Sequence, residues 1–154
     1  MTTWVNDDNL SPLTHEKEWP VVTLEADDVY ALAPYAKTLG VEFEEMTEAG
    51  VRAGLAHDHS LSTVGGGLHG GALMGLADVC AAVCAALSGP AGAAPATVES
   101  TTHFLRSART SVVATARPLR LGRNTVIEVD IHDAEGELCA RVTQVVTTVE
   151  PKTS

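Results

Sequence analysis

The chain has 154 residues, 45% of them hydrophobic, and a formal net charge of −10. That length makes one domain with a substantial core, and the acidic balance argues against a nucleic-acid partner, since phosphate binding needs a basic surface. Met1–Leu10 lacks the basic-then-apolar order of a signal peptide, and three cysteines in no recognisable framework fit a reducing compartment, so the expected location is the cytoplasm.

In chain order, residues 1 to about 23 carry Pro12 and Pro20 and no clean periodicity. They are expected to form a polar leader, with residues 24–150 as the folded domain and 151–154 as a tail. From Glu25 to Lys37, Val29, Leu32, Ala33 and Ala36 recur at helical spacing behind Glu25, Asp27 and Asp28, acids that suit a helix N-terminus. Pro34 kinks that helix or splits it into two short pieces. Val41–Met46 and Val51–Leu55, joined through Glu48-Ala49-Gly50, read as a hairpin. His57–Gly67 is a Ser-, Gly- and Asp-rich loop.

The next stretch organises the chain. From Gly70 to Leu87 nearly every residue is small or apolar, Asp78 being the lone carboxylate, and Ser88-Gly89-Pro90 ends the run. A helix apolar on every side must be buried on every side. The run is borderline in length for a membrane span, but Asp78 at its centre and its Gly/Ala-rich content favour a core helix. Cys80 and Cys84, four apart on it, and Cys139 read as small buried apolar residues. Four strands follow: Thr97–Arg106, Val112–Arg117 ending near Pro118, Thr125–His132 and Leu138–Val149. In the third, Ile127, Val129 and Ile131 alternate inward against Glu128, Asp130 and His132. Gly122 marks the turn before that strand, and Asp133-Ala134-Glu135-Gly136 the turn after it. Two strands, one long buried helix and four strands make an α+β fold with a mainly antiparallel sheet wrapping a helix.

Chemistry concentrates at the start of that helix. His69-Gly70-Gly71 is a loop-to-helix junction whose first backbone N–H groups are unpaired, with the positive end of the dipole behind them. Glycine there lets a ligand approach the backbone, so the junction can bind an anion or polarise a carbonyl oxygen. Asp78 among Leu76, Ala77 and Val79 is costly unless it has a partner or a task. Gly70 and Asp78 are eight residues apart, about 12 Å along a helix, too far to act on one carbonyl. Acting together, they must come from two copies of the helix, which predicts a site shared across a two-fold interface. Six of the seven arginines lie in the last third, and Arg117, Arg120 and Arg123 cluster at one turn, either as a solvated rim or as a dock for an anionic ligand. His57-Asp58-His59 reads as loop rather than metal site, and His103 has no nameable partner. The chain contains no Gly-x-Ser-x-Gly elbow and no Walker glycine pattern.

Gly67-Leu68-His69-Gly70-Gly71-x6-Asp78, with Thr97-Val98-Glu99-x4-Phe104-Leu105-Arg106 and the Arg120-Leu121-Gly122-Arg123 turn, resembles the PaaI-like hot-dog-fold acyl-CoA thioesterases over roughly residues 38–150. The resemblance implies dimers with paired helices, usually assembled as a homotetramer, and hydrolysis of a small-molecule acyl-CoA. No metal or redox cofactor is implied, coenzyme A being part of the substrate, and neither a nucleic-acid nor a membrane partner is expected. Asp78 would be the catalytic carboxylate, as general base or nucleophile, and the Gly70 N–H of the other subunit would polarise the thioester carbonyl. His69 would shape the junction, with Gly71 beside it, and Thr97 would hold the water. Arg120, Gly122 and Arg123, with Arg106, would receive the nucleotide end of coenzyme A. The chain departs from the pattern at Thr63, where relatives commonly carry Asn or Gln beside the thioester. It departs again at Ala82, where some carry Ser or Thr. These departures keep a non-catalytic acyl-CoA binder as the alternative. A hot-dog dehydratase ranks lower, since no Asp–His pairing of that type is present, and a transcription regulator would need a DNA-binding extension.

Overall fold

The structure is a computed structural model and describes residues 23–149. The expected leader, apart from Thr23, and the expected tail lie outside the described residues.

Two short helices come first. Helix α1 (Ala26–Leu32) starts where the Glu25 N–H donates to Asp28 Oδ2 at 2.9 Å, so the acidic group serves the helix start. Helix α2 (Pro34–Leu39) has Pro34 at its first turn, where a missing N–H costs nothing. The proline therefore separates two helices instead of kinking one. The Tyr30 hydroxyl donates to the Val41 carbonyl at 2.6 Å, tying α1 to the sheet.

Strands β1 (Val41–Thr47) and β2 (Gly50–Leu55) form the expected hairpin. The loop after β2 holds one 3-10 turn, His59–Leu61, capped by the Asp58 carboxylate, which accepts from the Ser60 N–H at 2.8 Å. Helix α3 (Gly70–Ser88) precedes β3 (Ala94–Phe104), β4 (Val112–Arg120), β5 (Asn124–Asp133) and β6 (Leu138–Val149). All neighbours pair antiparallel in the order β1-β2-β4-β5-β6-β3. Gly136 makes the β5–β6 turn at a φ of 82°, a left-handed conformation that glycine adopts without strain.

Two strands extend beyond the sequence reading through a proline, and β3 also ends two residues earlier than expected. β3 starts at Ala94 and includes Pro95, because it is an edge strand where a missing donor is tolerated. It ends at Phe104, and the N–H groups of Leu105 and Arg106 both turn to the Cys139 carbonyl. β4 runs through Pro118 to Arg120. Its pairing with β2 stops at Ala116, so Pro118 needs partners on one side only.

Helix α3 touches all six strands, so the sheet curls around it. Its buried side presents Leu73, Leu76, Ala77, Cys80 and Cys84 to a wall that includes Ile127, Val129, Ile131, Val142 and Val146. Each large aliphatic side chain buried there contributes about 1.5–3 kcal/mol. The β5 alternation holds as read, with Ile127, Val129 and Ile131 fully buried and Glu128, Asp130 and His132 partly exposed. On the outer side Arg141 grips Asp130 with two hydrogen bonds, at 2.6 and 2.8 Å, and these hold the Asp130 carboxyl below the usual carboxylate range. Burial pushes the Cys80 thiol up to about 12 and the Cys84 thiol to about 11.

The expected burial of α3 on every side fails along one stripe. Gly71, Met74 and Asp78 are exposed, and Ala82 and Ala86 are half-buried; their spacing of three to four residues places them on one face. Among the described residues α3 is the one helix long and apolar enough to cross a membrane, and it is the core helix. Beside its open stripe lies the outer edge of β3, 11 residues long and without a strand partner among the described residues.

Candidate active site

The site is best built outward from Asp78. It is exposed on the open stripe of α3, not enclosed by Leu76, Ala77 and Val79 as the apolar run suggested. Those neighbours turn into the core, because adjacent helical residues point about 100° apart. What holds the carboxylate is hydrogen bonding. Asp78 Oδ1 accepts from the Thr97 hydroxyl at 2.9 Å and from Gln144 Nε2 at 2.7 Å. Gln144 Nε2 also donates to Thr97 Oγ1 at 3.0 Å, closing a triangle. Both donors use the same oxygen, so Oδ2 is left open toward solvent and has no hydrogen bond among the described residues.

Local structure aims each member of this triangle. The β3–β6 register shifts between Thr97 and Glu99, leaving Val98 as the extra residue of a bulge. The bulge keeps Thr97, opposite inward-facing Val146, on the helix side of the sheet. Gln144 follows Ala140 and Val142 on the inward row of β6 and is fully buried. Its Oε1 has no hydrogen-bond partner among the described residues. Sequence reading missed Gln144, although it leaves a visible mark: one amide in an otherwise apolar inward alternation.

The helix start forms a second group. His69 caps α3, its Nδ1 accepting the Gly71 N–H at 2.8 Å, which places any proton of the neutral ring on Nε2. Gly71, expected at the substrate, thus has its amide engaged by His69. The Gly70 N–H stands at the first helical position, where no helical acceptor exists. Gly70 borders a cleft of about 490 Å³ together with Thr63, Phe104, Arg106 and Ser107. A Cβ at Gly70 would stand 3.0 Å from the Phe104 ring, so glycine lets that ring lie against the backbone. The His69 ring borders a different, smaller cleft with Tyr35, Ser60 and Ser62.

The remaining candidates lie apart. Arg106 reaches Glu137 at 3.3 Å at the rim of the Gly70 cleft. Arg120, Gly122 and Arg123 are exposed at the β4–β5 turn. The Arg123 carbonyl accepts from the Thr148 N–H, and the Thr148 side chain lies against Gly89 just past the end of α3. This turn is therefore at the opposite end of the helix from Gly70. Arg117 pairs with Glu128, whereas Arg120 and Arg123 make no ion pair among the described residues. His57 Nε2 bonds the Gly66 carbonyl at 2.7 Å and braces the loop. Among the described residues no three His, Cys, Asp or Glu side chains converge as a metal ion would require.

One chain thus carries an oriented carboxylate in mid-helix and an open amide at the helix start, on a curled sheet around a central helix. The sequence profile of the thioesterase superfamily matches residues 65–140. A Haemophilus influenzae protein whose name proposes esterase activity is 31% identical over 103 residues, 66% of this chain and 75% of that one. The crystal structure of a Haemophilus influenzae thioesterase superposes with a TM-score of 0.78 at 26% identity, covering 86% of this chain and 96% of the other. The E. coli PaaI protein of the phenylacetic acid degradation operon shares the fold, with a TM-score of 0.74 at 23% identity over 80% of this chain and 90% of its own. The chain belongs to the hot-dog-fold thioesterase superfamily.

Proposed function

We propose that the protein hydrolyses the thioester of a small-molecule acyl-CoA, with Asp78 as the catalytic carboxylate and the Gly70 N–H of a second subunit as the oxyanion donor. The observation that carries this is the Thr97–Gln144–Asp78 triangle, which fixes one carboxylate oxygen and leaves Oδ2 open. As a base, Oδ2 takes a proton from a water whose oxygen attacks the thioester carbonyl carbon. The carbon–sulfur bond then breaks, and the leaving thiolate picks up a proton. As a nucleophile, Oδ2 attacks that carbon itself and expels the thiolate, which takes up a proton, and water afterwards hydrolyses the resulting anhydride to the free acid and Asp78. In either course negative charge develops on the carbonyl oxygen, where a backbone N–H at a helix start stabilises it. The Thr97 hydroxyl spends its proton on Asp78, so it would hold a water as acceptor rather than donor.

Two features support a shared site. Gly70 and Asp78 are about 12 Å apart along α3, beyond joint reach of one carbonyl. The open stripe of α3 and the edge of β3, unpaired among the described residues, form one continuous surface bridged by the Thr97–Asp78 hydrogen bond, and an exposed edge of this length calls for cover. Antiparallel pairing of two such helices would bring the partner's Gly70 toward Asp78. Arg120 and Arg123 stand near the C-terminal end of α3, about 16 Å along the axis from Asp78 and across β6 from the start of β3, where this reading places the phosphates of coenzyme A. A homodimer, or a dimer of dimers, is the assembly this reading requires.

The direct test is Asp78→Asn, assayed by release of free thiol from a panel of acyl-CoA thioesters. Turnover should fall by at least a thousandfold with the fold and assembly intact. Unchanged thiol release in that variant would remove Asp78 from the mechanism, and tight acyl-CoA binding without any thiol release by the wild type would favour the non-catalytic binder.

A further inference from the structure

A cavity of about 510 Å³ lies between α1, the C-terminal half of α3 and the start of β3. Leu32 and Ala33 form one wall, Ala82 and Ala86 the second, Ala94 and Pro95 the third. Every side chain lining it is hydrocarbon, so nothing in the wall could hydrogen-bond a polar group beyond occasional backbone.

Two of its walls lead directly from the catalytic carboxylate. On α3, Ala82 and Ala86 follow Asp78 by one and two turns along the same open stripe, about 6 and 12 Å away. On β3, Pro95 and Ala94 lie two and three residues from Thr97, whose hydroxyl bonds Asp78, roughly 7–10 Å along the strand. A group entering at Asp78 and continuing toward the C-terminal end of α3 therefore runs straight into this cavity. The third wall is contributed by α1, which precedes the residues matched by the superfamily profile.

We infer that this cavity receives the acyl group of the substrate and selects a medium-length hydrocarbon chain. The inference rests on the thioesterase reading and adds to it the class of acyl group. With the ~30 Å³ of a water molecule as yardstick, the cavity has room for on the order of ten methylene-sized groups. Its all-hydrocarbon wall rejects a polar terminus, because a hydroxyl buried there would find no partner. Leu32, 79% exposed at the lip, is the kind of side chain that a bound chain would cover.

The test is the chain-length dependence of kcat/KM for straight-chain acyl-CoA from acetyl to dodecanoyl. Each added methylene should raise it about fourfold until the cavity is full, and a terminal hydroxyl on the decanoyl group should lower it tenfold or more. Ala86→Phe fills the cavity and should cut the decanoyl-to-acetyl ratio at least tenfold. Leu32→Ala alters an exposed residue with little bearing on the fold and should flatten only the last steps of the series. A flat length profile in the wild type, as when the chain's own residues or a second copy fill the cavity, overturns the inference while leaving the thioesterase reading standing. An undiminished ratio in both variants overturns it as well. Absence of thiol release from every chain length removes the reading beneath it and the inference with it.

Discussion

Gln144→Met separates catalysis from stability in a way that the triangle around Asp78 dictates. The substitution keeps the length of a fully buried side chain and deletes its amide. Asp78 Oδ1 then loses the 2.7 Å donor and keeps only the Thr97 hydroxyl at 2.9 Å. A hydrogen bond to a carboxylate contributes about 1.5–3 kcal/mol, and each 1.36 kcal/mol is tenfold in rate, so kcat should fall by about 10- to 100-fold. KM should change little, since Gln144 is a positioning residue behind the carboxylate. Stability moves differently. The wild-type Gln144 Oε1 is buried without a partner among the described residues, a state that costs about 1–3 kcal/mol, and the variant removes it. That gain offsets the lost hydrogen bonds, and exposed Asp78 and Thr97 can turn to water. The melting temperature should therefore stay within about 3 °C of wild type. Steady-state thiol release together with calorimetric unfolding measures both. A kcat within twofold of wild type, or a loss of activity that merely follows a large drop in melting temperature, would refute the positioning role.

Two further predictions follow from the surface and the core. Arg120→Glu with Arg123→Glu should raise KM for acyl-CoA about tenfold with kcat nearly unchanged, and the effect should shrink as salt is added; an equal loss in kcat would place the turn elsewhere in the mechanism. Cys80 and Cys84, buried and with thiols pushed up to about 12 and about 11, should resist a thiol reagent at pH 8 in the native protein and react promptly after unfolding in urea. Rapid modification of either in the folded protein would contradict their burial.

Much of the fold was legible because each element carried its own punctuation. Pro34 split the first helix, Ser88-Gly89-Pro90 stopped α3, and Ile127, Val129 and Ile131 declared β5 by period two. The two strand boundaries that moved past a proline share one cause. Pro95 and Pro118 read as breakers until strand order shows that one side of the chain needs no partner at each position. Burial of α3 was overread for another reason. Ala82 and Ala86 look like core residues in composition, and nothing local distinguishes an alanine facing the sheet from one left for a neighbour. At the site, Asp78 and Gly70 stood out as an acid in an apolar helix and a glycine at its start. Gln144 did not, because 66 residues separate it from the carboxylate it holds, and only the β3–β6 pairing around a bulge at Val98 brings Thr97 to the same atom. The Arg120–Arg123 cluster was visible as charge, but its place at the far end of α3 depends on strand order that no local pattern encodes.

The shared site can be tested by mixing two inactive variants. Asp78→Asn removes the carboxylate. Gly70→Pro removes the amide donor at a position where proline suits the helix start, behind a His69 already extended at φ −62° and ψ 140°, with the half-exposed Phe104 ring free to give way. Each variant alone should release almost no thiol. Unfolded together and refolded at equal ratio, half the dimers should be mixed, each with one intact site of two, restoring about a quarter of the wild-type rate. A mixture as inactive as its components would contradict a site built from Asp78 of one subunit and Gly70 of the other.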